Sequence, residues 1–173
     1  MRRRAGALAA AAALAAAAAS AQWRGWEADF DEAQKPWKEI EARLPPYPAP
    51  ASLIPFEASA TSPHRFYVDA ASLSVGEDGV VRYTLLVRSA GGATNVSFEG
   101  IRCETREHKI YAVGRADGGW TRARDPKWRR IEDREVNRHH FVLYADFFCP
   151  ERARPATLGE IREALRREGL RLR

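Results

Sequence analysis

Asp78-Gly79-Val80-Val81-Arg82-Tyr83-Thr84-Leu85-Leu86-Val87-Arg88 is the stretch that decides the fold. Val81, Tyr83, Leu85 and Val87 alternate with Arg82, Thr84, Leu86 and Arg88, a period of two that places the first set on one face of a strand. Asp78-Gly79 ahead of it reads as a hairpin turn, whose two central positions favour positive φ. The partner strand then lies upstream, starting at Arg65 with Phe66-Tyr67-Val68 and continuing after a short break through Leu73 and Val75. Downstream, Gly91-Gly92 makes the next turn, and Val96 and Phe98 share a face that Ile101 and Cys103 fall out of. Gly100 sits at that change of phase, so a β-bulge there is expected to return Ile101 and Cys103 to the buried side. Ile110-Tyr111-Ala112-Val113 adds a strand and Gly118-Gly119 a turn, and consecutive strands with short connections imply an antiparallel meander.

A sheet with an apolar face needs a cover. Val136, His140, Leu143, Tyr144 and Phe147 recur at three- and four-residue steps, with Asn137 as N-cap and Cys149-Pro150 as stop. That spacing favours a helix over 137–149, with a further strand as the alternative because Phe141-Val142-Leu143-Tyr144 is also β-prone. Thr157 and Glu160 form a capping-box pattern before Leu158, Ile161 and Leu165, and Gly169 falls just past the expected helix end. The expected class is α+β, an antiparallel meander covered by one or two helices and tied by one disulfide. Ahead of the strands, Trp37, Ile40 and Leu44 have helical spacing up to Pro45-Pro46, so a short helix is the most that segment promises. Pro45, Pro46, Pro48, Pro50 and Pro55 then make an extended arm, and its Tyr47, Leu53, Ile54 and Phe56 suit packing against its own domain.

Residues 1–21 read as a signal peptide: Met1-Arg2-Arg3-Arg4 is a positive start, Ala5 to Ala19 is an apolar run short for a membrane span, and Ala19-Ser20-Ala21 is a small-residue cleavage site. Cleavage between Ala21 and Gln22 is expected, which makes the rest exported, into a bacterial periplasm. The organisation is then a leader (1–21), a short helix and Pro-rich arm (22–64), a β-rich core (65–150) and a C-terminal amphipathic helix (151–173). The formal charge of +5 loses the three leader arginines and becomes +2. Such mild basicity gives nucleic-acid binding little support. Cys103 and Cys149, the two cysteines of the chain, have no Cys-x-x-Cys spacing, and in an oxidising compartment they are expected to pair.

Motifs for chemistry are absent: no Gly-x-Ser-x-Gly elbow, no phosphate loop and no cysteine left free as a thiolate. His139-His140 is the most tempting metal feature, yet adjacent helical residues point about a hundred degrees apart and cannot chelate one ion together. His64 and His108 read as loop residues with no carboxylate pattern tying them to that pair. No catalytic residue, metal ligand or cofactor is therefore assigned. Trp120, Arg122, Arg124, Trp128, Arg129 and Arg130 form the one segment with the composition of a recognition surface, since Trp and Arg are enriched where surfaces bind. The alternative is that both Trp side chains pack inward and the arginines solvate a loop.

Several separated blocks resemble the cryptic-neisserial-protein-like family of small exported proteins. They are Pro36-Trp37-Lys38-Glu39-Ile40, Leu44-Pro45-Pro46-Tyr47-Pro48, Arg65-Phe66-Tyr67-Val68-Asp69, Ser74 to Tyr83, Asn95 to Cys103 and Tyr144-Ala145-Asp146-Phe147-Phe148-Cys149. The family is uncharacterised, so the resemblance implies a compartment without an activity. A more distant likeness to the surface-adhesin protein E domain implies an antiparallel sheet covered by helix and carries over no binding residue. The expectation is a non-enzymatic binding or accessory domain of the cell envelope, with an envelope protein or glycan as partner. Its rivals are a surface adhesin, a hydrolytic enzyme, and peripheral membrane contact through Arg162, Arg166, Arg167, Arg171 and Arg173.

Overall fold

The structure, a computed structural model, describes residues 36–172, and its compact unit starts at Glu39. The expected leader, its expected cleavage point between Ala21 and Gln22, and Arg173 lie outside the described residues. Seven strands form one antiparallel sheet: β1 (Leu53–Phe56), β2 (Arg65–Val75), β3 (Val80–Arg88), β4 (Thr94–Arg102), β5 (Glu107–Gly114), β6 (Trp120–Arg122) and β7 (Arg129–Arg130). The first six lie in sequence order, and β7 shares the outer side of β5 with β6. The meander is therefore present.

Three of its hairpins use the same turn. Gly76 N–H donates to the Val80 carbonyl and Gly79 N–H to the Gly76 carbonyl, and the pattern repeats at Ser89–Ala93 and Arg115–Gly119. Each encloses three residues, the third a glycine in the left-handed region: Gly79 (φ 73°), Gly92 (φ 85°) and Gly118 (φ 81°). This differs from a two-residue turn at Asp78-Gly79, because only the glycine has positive φ. Asp78 instead turns its carboxylate back onto Arg82, whose Nη2 donates to it at 2.6 Å.

The sheet is covered on both faces. Val81, Tyr83, Leu85, Ile101 and Cys103 on one side meet Leu143, Tyr144, Phe148, Ile161 and Leu165 from two helices, α1 (Arg138–Val142, continuing as a π-helical turn over Leu143–Phe148) and α2 (Leu158–Arg171). The segment 137–149 is thus helical, although the Asn137 side chain makes no capping bond. Cys149 at its end joins Cys103 in a disulfide. Thr157 and Glu160 form the full capping box of α2. Gly169 lies inside α2 rather than past its end, and a Cβ there would stand 3.1 Å from Ile54 Cγ2, so this glycine lets the helix approach β1.

On the opposite face Val80, Arg82, Thr84, Leu86, Val96, Phe98 and Ala112 are also buried. This double burial removes the need for a bulge at Gly100: β3 and β4 pair without interruption from Val80–Arg102 to Arg88–Thr94. Val96 and Phe98 point to one covered face, Ile101 to the other. The irregularity lies between β4 and β5, where Phe98 opposes Ala112 but Glu99 opposes Ile110, leaving Tyr111 as the extra residue.

The second cover is the arm from Glu39 onward, and no helix forms over 36–49. Its backbone is committed elsewhere: Ile40 N–H donates to Asp78 Oδ2 at 2.8 Å, and the Ile40 carbonyl accepts from Arg82 Nη2 at 2.8 Å. Those bonds reach a buried guanidinium that needs acceptors, and the side-chain periodicity of Trp37, Ile40 and Leu44 does not outweigh them. The arm then supplies β1, an edge strand in which Pro55 is tolerated opposite Tyr67.

Candidate functional site

The segment 120–130 divides by residue type. Trp120 and Trp128 are half-buried and hold the arm. Trp120 Nε1 donates to the Pro45 carbonyl at 2.9 Å, and its ring lies 5.5 Å from Tyr47 and 6.4 Å from Phe98 between centroids. Trp128 Nε1 donates to Glu39 Oε2 at 3.3 Å, and the Lys109 ammonium lies 5.7 Å from its ring centroid. Glu39 also accepts from Lys109 Nζ and Tyr111 Oη, each at 2.8 Å. Burial works to raise the Glu39 pKa, but these bonds and the Lys109 charge outweigh it and hold the carboxyl below its ordinary value. Trp120→Ala should therefore lower folding stability by about 2 kcal/mol, short of the loss for a fully buried Trp. Thermal or denaturant unfolding measures it.

The arginines face outward. Arg122, Arg124, Arg129 and Arg130 are exposed. Arg122, Arg124, Lys127 and Arg129 border a groove of about 420 Å³, together with His108, Ile110 and Val113 from β5. Asp125 pairs with Lys127 and Arg129 at 3.1 and 3.4 Å, whereas Arg122 and Arg124 make no ion pair among the described residues. The groove arises because β6 pairs with the far half of β5 and β7 with its start, leaving the 123–128 loop to arch over the gap. Ile110 and Val113 give it an aliphatic floor, and Val113 is 43% exposed. Arg130, on β7 opposite Glu107, lies outside this lining.

Behind the inner end of the groove lies a cluster that sequence reasoning missed. Glu99, only 2% exposed, shares the helix-facing side of β4 with Ile101. Its Oε2 accepts from Tyr83 Oη at 2.9 Å and lies 2.8 Å from His140 Nε2, while Oε1 accepts from Ser97 Oγ. His108, expected on a loop, is on β5 opposite Ile101, and that strand pairing turns it inward to stack on His140 at 3.9 Å between centroids. The His139 ring lies 4.1 Å from that of His140 between centroids and stacks on Phe66 at 5.2 Å. His64 lies in a bend before β2.

Burial acts to raise the Glu99 pKa, but the positive charge of His140 and the bonds from His140 and Ser97 outweigh it and bring the carboxyl to about 2. Burial and the neighbouring His140 charge depress His108 to about 4 and His139 to about 3. The unfolded chain takes up protons on these two imidazoles as pH falls through 6.5, while the folded chain does so only near 4 and 3. Their contribution is therefore fully present above pH 6.5 and is lost as pH falls towards those values. A falling unfolding midpoint between pH 7 and 4, measured in chelator, is the expected result, and replacing His139 with Phe should flatten it.

The signal that could have found the cluster is Glu99 itself. It falls two residues from Ile101 on a strand, and a carboxylate on a core face requires partners. Cys103 and Cys149, by contrast, meet as expected, with S–S 2.05 Å.

No curated protein and no solved structure matches the chain. The family model of the CNP1-like family matches residues 32–166, which spans the sheet, α1 and much of α2. By that match over most of its length, the chain belongs to the CNP1-like family.

Proposed function

We propose that this member of the CNP1-like family is an exported, non-enzymatic binding protein of the bacterial envelope, whose basic groove takes an acidic segment of another envelope protein. Support for export comes from the Arg-rich start, the short apolar run and the Ala19-Ser20-Ala21 site, together with a disulfide of the kind that persists in oxidising compartments. The single observation that carries the binding assignment is the groove, where Arg122 and Arg124 stand without ion pairs among the described residues beside an aliphatic floor of Ile110 and Val113. Guanidinium forks pair with carboxylates in two-point contacts, and the floor suits an apolar side chain between them. A glycan is the weaker fit, because Trp120 and Trp128, the platforms that sugar faces stack on, are turned to the arm.

The non-enzymatic reading rests on the burial of Glu99 and His140 and on the absence of an activated nucleophile beside them among the described residues. His140 is 5% exposed, and Ser97 Oγ is bonded to Glu99 rather than to an imidazole that could activate it. A fluorescent peptide of alternating Glu and Leu should bind with a strong salt dependence, and the Arg122→Glu, Arg124→Glu double variant should weaken it at least tenfold. Equal binding by both proteins removes the groove from the account, and displacement by an acidic polysaccharide but not by the peptide reassigns it to a glycan.

A further inference from the structure

Glu99, His108 and His140 come from β4, β5 and α1, and each offers one donor atom, the three lying within 4.8 Å of one another. An ion pair alone explains Glu99 and His140. It does not explain why a second imidazole is brought against the first, nor why His108 Nδ1 is buried without a hydrogen-bond partner among the described residues. A buried polar atom left in this way destabilises the fold unless a ligand satisfies it. A cavity of about 50 Å³ bordered by His108, Asn137 and His140 adjoins the cluster.

The geometry points to a binding site for a divalent first-row transition ion, held by a carboxylate oxygen of Glu99 and one ring nitrogen each of His108 and His140. Imidazole and carboxylate together suit zinc and its neighbours, whereas calcium and magnesium require shells built of oxygen. Tyr83 and Ser97 fix the carboxylate from behind, as outer partners of a metal ligand do. The two imidazole planes are 24° apart in their stack, so their in-plane lone pairs do not yet converge. Ligation turns the His108 ring about its Cβ–Cγ bond, and His108 has the room, being half-buried and bordering both the groove and the cavity. The ion replaces the Glu99–His140 hydrogen bond, and any proton on the ligating nitrogens leaves to solvent. The cavity has space for one water as a fourth ligand. His139, although its ring touches that of His140, offers no donor atom to the set.

The untagged chain, with its disulfide intact so that no thiol competes, is titrated with zinc against a chromophoric chelator, and with cobalt while visible absorption is recorded. One ion per chain, proton release on binding and d–d bands of a four-coordinate centre are expected. His108→Ala leaves the Glu99–His140 pair in place and should fold. It should bind at least tenfold more weakly and lose the zinc-induced rise in unfolding midpoint, whereas His64→Ala should match the wild type. No competition for zinc by the folded wild type, or equal binding by the His108→Ala protein, overturns the proposal.

Discussion

Replacing His140 with alanine in the metal-free protein should lower folding stability by about 3–5 kcal/mol, because it leaves the Glu99 carboxylate buried and without its charge partner. Tyr83 and Ser97 would still donate to it, but neither carries the positive charge that holds it ionised. The pH dependence should also change sign. In the wild type the Glu99 pKa is lowered from 4.5 to about 2, so its contribution is present above 4.5 and lost as pH falls towards 2. Without the His140 charge, burial outweighs the bonds from Ser97 and Tyr83 and raises the folded value above the unfolded one, so stability should be lost as pH rises and regained in acid. Denaturant unfolding of the His140→Ala protein at two pH values in chelator measures both effects. A double variant, Glu99→Met with His140→Leu, should recover most of the loss, since apolar residues of similar volume can replace a buried pair. An unchanged pH slope in the single variant would mean that the Glu99 carboxylate is reached by water.

Reducing the Cys103–Cys149 disulfide, or replacing both residues with serine, should cost about 4 kcal/mol by the chain-entropy argument for a loop of this length. The sequence separation is 46, and that loop contains β5, β6, β7 and the whole of α1 with its π-helical continuation. The link therefore restrains the segments that build both the groove and the buried cluster. Against a typical net stability of about 5–15 kcal/mol, this is a large fraction. The denaturant midpoint of oxidised and reduced protein gives the difference. Groove binding should weaken in the reduced protein before global unfolding, because β7 is held to β5 by only two residue pairs.

What could be read from the sequence follows from how local each feature is. The period of β3, the glycines of the hairpins and the Thr157–Glu160 box act within a few residues, and all three are realised. The disulfide was legible from the two cysteines and the expectation of an oxidising compartment. The one-faced sheet was the assumption that failed. With the arm unplaced, Val96 and Phe98 compete with Ile101 for a single buried side and call for a bulge at Gly100; the arm supplies the second buried side. The same arm misled at Trp37, Ile40 and Leu44, where the helical spacing of three side chains could not reveal that the Ile40 backbone would bond to Asp78 and Arg82 some forty residues away. The aromatic and cationic residues of 120–130 were legible as special, but not which of them face solvent. The buried cluster required strand register, since only the pairing of Ile101 with His108 shows which way that imidazole points.

The most direct test of the binding account is a two-dimensional amide NMR titration of the chain with the Glu–Leu peptide at low salt. Shifts concentrated at Ile110, Val113 and residues 121–129, abolished by Arg122→Glu with Arg124→Glu, are the expected result. Shifts centred on the α2 face or spread evenly over the surface, with the groove amides unmoved, would contradict it.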